Sequence, residues 1–343
     1  MIRILLALAL ATLAAAPAAA QEAATFTHSA SGAVFARSVG EQSIALTRDL
    51  DTPNDSVVDY AGANPRESTT VYIFRAAYPD ARLWFGQAAD TVAGQIPLDV
   101  FDAGEEERIA AFGSAAPNAI RRIYMTSQAG PFRTTALLVG QAGEWIVKIR
   151  LTSPTLDRAG MAARIGAFAA AIRFPAATAF AAAAAPLADC GALPFPQGAR
   201  PVEMDVERLA LMTGVAAAMA AEARAPLRDG GAGWCRVAGN RSNPPLRVIR
   251  RADGTGGWIF LIGDAGRALS ARSAAELGLP GGGLAALVAA DSDVVGVAGA
   301  YEGLPDPISS FQPGTQVLFR RARPVIEIGR RPQAQEAPAP GKR

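Results

Sequence analysis

The chain has 343 residues, half of them hydrophobic, with 33 basic and 31 acidic side chains and a single histidine. That length provides for two domains of ordinary size with packed cores. The near-neutral balance leaves no single-sign field to draw in nucleic acid or an anionic lipid surface.

The N-terminus begins Met1-Ile2-Arg3, continues through the apolar Ile4–Leu13 and reaches Pro17 and Ala18-Ala19-Ala20 before Gln21. One positive charge, a short apolar core and a small-residue site make residues 1–20 a secretory signal peptide. A core of about ten residues is too short to span a bilayer, which takes roughly 20. Cleavage is predicted after Ala20, with an uncleaved N-terminal anchor as the alternative. No Cys follows the site, so a lipoprotein anchor is not indicated. Losing Arg3 takes the 33 basic residues to 32, against 31 acidic ones. The mature protein is expected to be periplasmic or secreted from a bacterium, with no membrane span after signal cleavage.

Residues 25–175 read as an N-terminal α+β domain. Short strands are predicted over 33–38, 43–47, 56–60 and 69–75, with Asp51-Thr52-Pro53-Asn54-Asp55 supplying turn chemistry between two of them. Pro79-Asp80 opens a helix whose Trp84, Ala88, Val92 and Ile96 recur on one face. A short helix is expected over 104–112, with Glu105, Glu106 and Glu107 in its first turn. Strands over 120–127, 132–139 and 144–151 follow as an antiparallel meander. In the last of them Trp145, Val147 and Ile149 alternate with Ile146, Lys148 and Arg150, which predicts one dry face and Lys148 in water. A closing helix from Thr155 presents Met161, Ile165, Phe168 and Ile172 to the sheet.

This order of strands, helix, meander and helix resembles the PsbP-like α/β sandwich, shared by an extrinsic photosystem subunit, a small nuclear-transport factor and bacterial exported proteins with a PsbP-like N-terminal domain. The resemblance covers about 150 residues and rests on element order. It implies a binding or assembly module in preference to an enzyme.

Residues 176–189, rich in Ala and holding Pro186, read as a linker. A C-terminal α+β domain is predicted over 190–330. Its helix places Val206, Leu209, Met212, Ala216 and Met219 on one face, a stripe that serves as core filler more readily than as a ligand groove. Strands are expected over 234–237, 246–250, 257–262, 284–290, 294–300 and 316–320, the last continuing through 325–328. Residues 331–343 hold too few large apolar side chains to fold and read as a disordered tail. The fold class is therefore α+β: two domains, each an antiparallel sheet packed by one or two helices.

The two cysteines, Cys190 and Cys235, form an even pair in an oxidising compartment, which predicts a disulfide stapling the entry of the second domain to its sheet. Two buried free thiols, or a redox pair, are the alternatives, the latter without the Cys-x-x-Cys spacing that depresses a thiol pKa.

Catalytic chemistries find little purchase. His28 falls eight residues past the cleavage site, where it reads as a surface residue of an N-terminal arm, and a triad or histidine zinc site needs more than one mobile imidazole. Gly278-Leu279-Pro280-Gly281-Gly282-Gly283 lacks the Gly-Lys-Ser/Thr of a phosphate loop. Asp49, Asp51 and Asp55, like Asp291 and Asp293, read as solvated turns without calcium-loop spacing. No cofactor and no metal are expected. Lys occurs only at Lys148 and Lys342, leaving 31 of the 33 basic residues as Arg, a bias that a GC-rich genome accounts for. The leading expectation is a non-enzymatic exported cell-envelope protein with a binding or assembly role and an envelope protein partner, its oligomeric state unspecified. The alternatives are a carboxylate-dependent periplasmic hydrolase, or a small-ligand binding module at the domain interface, for which a large interdomain pocket lined by Arg would speak and against which a flat interface would count.

Overall fold

The computed structural model describes residues 24–50, 52–95, 102–126, 132–191, 195, 197–223, 233–237, 247–254, 256–263, 266–278, 283–290, 295–312 and 314. The signal peptide, Ile96, Asp51, the Asp291–Asp293 turn, the strands expected over 316–320 and 325–328 and the tail from 331 lie outside these residues.

A nine-stranded antiparallel sheet runs in the order β3 (Ser38–Val39), β4 (Gln42–Asp49), β5 (Asp55–Ala61), β6 (Ser68–Arg75), β11 (Trp145–Ser153), β10 (Thr134–Ala142), β9 (Ala119–Met125) and β7 (Asp102–Ala103), with β8 (Glu107–Ile109) also paired to β9. A small sheet of β1 (Thr25–Thr27), β2 (Val34–Ala36) and β12 (Ile172–Arg173) sits beside it. The meander is β9–β10–β11, in a register that sets Leu138 opposite both Arg121 and Ile149. Alternate residues of these strands, among them Ile123, Leu138, Val147 and Ile149, pack against helix α2 (Arg158–Ala170), which contributes Met161, Ile165 and Phe168. Asp157 caps α2 by accepting from Gly160 N at 2.8 Å.

The opposite face carries Phe74, Ile120, Leu137, Val139 and Ile146 and is covered by helix α1 (Ala81–Gln95). Asp80 starts α1, its Oδ1 accepting from Arg82 N at 2.7 Å and Leu83 N at 3.4 Å. Burial pushes the Asp80 carboxyl above its ordinary range against these bonds.

The second sheet is antiparallel and seven-stranded: β13 (Arg200–Pro201), β19 (Val295–Glu302), β18 (Leu284–Ala290), β17 (Arg267–Ser273), β16 (Trp258–Ile262), β15 (Arg247–Arg251) and β14 (Trp234–Arg236). Pairing of Ile259 with Ser270, and of Ser270 with Val288, puts those residues on one face. Helix α3 (Val206–Ala223) covers the β18–β19 part of that face, setting Met212, Val215 and Met219 against Ala286, Val288 and Ala300. The β14–β17 part is covered from the other half of the chain: Trp234, Ile249, Ile259, Leu261 and Ala268 share one apolar cluster with Trp84 and Phe85 of α1. Helix α1 thus belongs to both cores. Among the described residues no helix is long and apolar enough to cross a membrane.

Several expectations need correction. The segment expected as a helix over 104–112 contains strand β8, because Glu107 pairs in register with Arg121 and Glu106 is taken by Arg82 and Arg122, partners a local helix would not reach. The single dry face expected of β11 is two buried faces, and Lys148 is only 5% exposed, its ammonium 3.8 Å from the Tyr72 ring centroid. Strand β17 lacked a sequence signal strong enough to predict it. On α3 the Met stripe is core, as expected, but Val206 at the helix start is 85% exposed and Leu209 is exposed too. The segment read as a linker forms no helix or strand, and its Ala183 and Ala184 are buried in the shared cluster.

Candidate functional site

The two halves enclose a pocket of about 250 Å³. Its walls come from α1, the segment before β8, strand β9, the 186–187 stretch, and strands β14 and β15. Four arginines line it: Arg82 from α1, Arg122 from β9, Arg236 from β14 and Arg247 from β15. Leu83, Ala89, Leu187 and Ile249 make the apolar part of the wall.

Each guanidinium is held by a carboxylate. Glu106 accepts from Nη1 of Arg82 and forms an ion pair with Arg122, its Oε1 3.0 Å from Nη2. Both arginines flank the Phe85 ring, at 5.7 and 6.0 Å from its centroid. Arg82 Nε also donates to the Ala184 carbonyl at 3.1 Å, tying the connecting segment to α1. Arg247 crosses from the second half to Asp90 of α1, through Nε at 3.0 Å and Nη2 at 2.6 Å. Burial pulls Arg247 below its ordinary pKa, opposed by the Asp90 charge. Arg236 donates from Nε to Asp189 Oδ1 at 2.8 Å. Tyr124 lies beside this group, its hydroxyl pushed up to about 12 by burial, so it stays neutral.

A glycine makes the crossing by Arg247 feasible. A Cβ on Gly86, inside α1, would meet Arg247 Nη1 at 2.3 Å and Cζ at 2.5 Å. Glycine in a helix interior costs about 1 kcal/mol relative to alanine. Here the bare backbone is the surface on which the guanidinium lies.

The predicted disulfide is present: Cys190 and Cys235 are bonded at 2.07 Å. Cys190 N donates to Arg236 O and Arg236 N donates to Ala188 O, each at 2.8 Å, so the chain at 188–190 is laid beside β14. Asp189 and Arg236, the neighbours of the two cysteines, form the ion pair at the pocket. The staple therefore fixes the entry of the second half to its sheet and holds one pocket arginine in place.

The carboxylates that line the pocket are Asp90 and Glu106. Guanidiniums hold both.

His28 overturns its expectation as a surface residue. It is 3% exposed, because the small sheet folds it beneath Trp145, edge-on at 5.4 Å between ring centroids. Its Nε2 lies 3.0 Å from Ser56 Oγ, and that hydroxyl donates to Asp49 Oδ1 at 2.6 Å. Its Nδ1 accepts from Ser31 N at 3.2 Å and lies 2.8 Å from Ser31 Oγ. With Ser56 donating to Asp49, Nε2 carries the proton and donates to Ser56, so the serine is no activated nucleophile. Burial lowers the His28 pKa from the ordinary 6.5, outweighing the Asp49 charge that raises it.

The pocket residues carried no motif in the sequence, since they come from six separate segments. The local signal that points to them is Gly86 in a helix. No family model matches this chain, and no curated protein or solved structure matches it either.

Proposed function

We propose that this chain is a non-enzymatic binding protein of the bacterial cell envelope, exported by its first 20 residues, that takes a small ligand into the pocket between its two halves. The observation that carries this reading is the pocket itself: about 250 Å³, lined by four arginines and built jointly by both halves. Pockets at junctions of this kind are where ligands bind preferentially. The disulfide accords with an oxidising compartment. The first half is read as a PsbP-like sandwich, supported by its sheet with α2 on one face and α1 on the other, and that class suits binding in preference to catalysis.

The test is native mass spectrometry of the mature protein purified from its host without denaturation. The protein is expected to carry a small molecule released on unfolding. Ala89→Phe fills the pocket from α1 and should abolish the bound mass in a protein that is folded by circular dichroism. Equal bound mass in both proteins, or none in either, refutes the reading.

A further inference from the structure

We infer that the ligand of this pocket is a small molecule with one carboxylate and an apolar body. This rests on the binding reading above and names its chemistry. Four guanidiniums, those of Arg82, Arg122, Arg236 and Arg247, meet three carboxylates, those of Asp90, Glu106 and Asp189. One positive charge is left over. Tyr124 does not offset it, being neutral at physiological pH. Arg82 and Arg247 are buried, and charges out of water are stable only when paired. One further negative charge completes the set.

The donors for that charge are present. Among the described residues no group accepts from Nη1 of Arg236 or Nη1 of Arg247, whose bonds to carboxylate use Nε and Nη2. A planar guanidinium edge matches a carboxylate, which takes two parallel N–H bonds. Phosphate fits less well, since its second negative charge has no cation left and would face Asp90, whose side chain is 43% exposed. Leu83, Ala89, Leu187 and Ile249 supply the apolar surface for the rest of the molecule. The volume stands at the small end for ligand pockets, which leaves out nucleotides and peptides.

The experiment is calorimetry on the full mature chain, at fixed ionic strength, with butyrate, 1-butanol and inorganic phosphate as probes. Butyrate is expected to bind, with 1-butanol and phosphate at least about tenfold weaker. Arg236→Gln, at a half-exposed position outside the core, should weaken butyrate by about tenfold or more while the thermal midpoint holds, as expected for a lost bond to a charged group. Preference for 1-butanol or phosphate, undiminished binding by Arg236→Gln, or no butyrate binding at all overturns the inference. Those results leave the small-ligand reading standing if natively purified protein still carries a molecule that Ala89→Phe excludes. Absence of that molecule sinks the broader reading instead.

Discussion

Replacing Cys190 and Cys235 together by alanine should destabilise the protein by about 4 kcal/mol. The cysteines are 45 residues apart, and the chain-entropy model for a closed loop of that length gives this figure at 25 °C. The loss sits in the unfolded chain, because the folded chain keeps its geometry without the bond. Residues 188–190 stay hydrogen-bonded to β14 on both sides of Asp189, and Arg236 still pairs with that aspartate. Alanine is the right replacement, since Cys235 is buried and serine would place an unpartnered hydroxyl there.

Urea unfolding of the oxidised wild type, the reduced wild type and the double variant measures the effect. The last two should coincide, each about 4 kcal/mol below the first. If the second half melts as a unit of about 150 residues, the midpoint falls by about 8–16 °C. A loss under about 1 kcal/mol would refute the reasoning, because the linker's register beside β14 would then already be fixed in the unfolded ensemble.

Two further predictions follow from buried groups. Gly86→Ala would ordinarily gain about 1 kcal/mol of helix propensity, but its Cβ displaces Arg247 from Asp90. The net effect by urea unfolding should be a loss of about 0.5–2 kcal/mol, since a hydrogen bond to a charged group is forfeited against that gain, and a full gain would show that Arg247 moves aside freely. His28 has a folded pKa below 6.5, so its contribution to stability is complete above pH 6.5 and is lost as pH falls through the folded value. Wild-type urea midpoints should therefore drop between pH 7.5 and pH 5 more than those of His28→Gln, and parallel drops would remove His28 as the cause.

What was legible in the sequence is what local chemistry or compartment decides. The meander and the α2 stripe through Met161, Ile165 and Phe168 are periodic patterns whose partners lie within the same half, and α1 was legible from its own Pro79-Asp80 start and its apolar stripe although part of its partners come from the other half. The disulfide needed only an even cysteine pair and an oxidising compartment. Failures cluster where a partner arrives from far along the chain. Glu106 and Glu107 looked like a helix start, yet Arg82, Arg121 and Arg122 take them into an ion network and a strand edge. Alternation in β11 gave Lys148 a wet face, but that face looks toward α1 and the second half. His28 was placed on a frayed arm, whereas β1–β2 pairing and Trp145 enclose it.

The same logic explains why the pocket was invisible. A site on one strand–turn–helix unit leaves a motif, because its residues are fixed relative to one another by local geometry. This one is assembled by docking two sheets on a shared helix, so its spacing in sequence is arbitrary. What docking does leave behind is a local cost with no local reason. Gly86 weakens α1 and serves nothing within it. Its purpose lies 161 residues on, in the guanidinium of Arg247 that rests on it. A helix-interior glycine on the face that carries an aspartate four residues later, Asp90, is thus the trace of an arginine from another part of the chain. Were Gly86 present only for close packing of α1 on its own sheet, substituting it would disturb the first half and leave the Arg247–Asp90 pair intact. The clash with Arg247 argues the reverse, and makes this glycine part of what brings the two halves, and the pocket between them, into register.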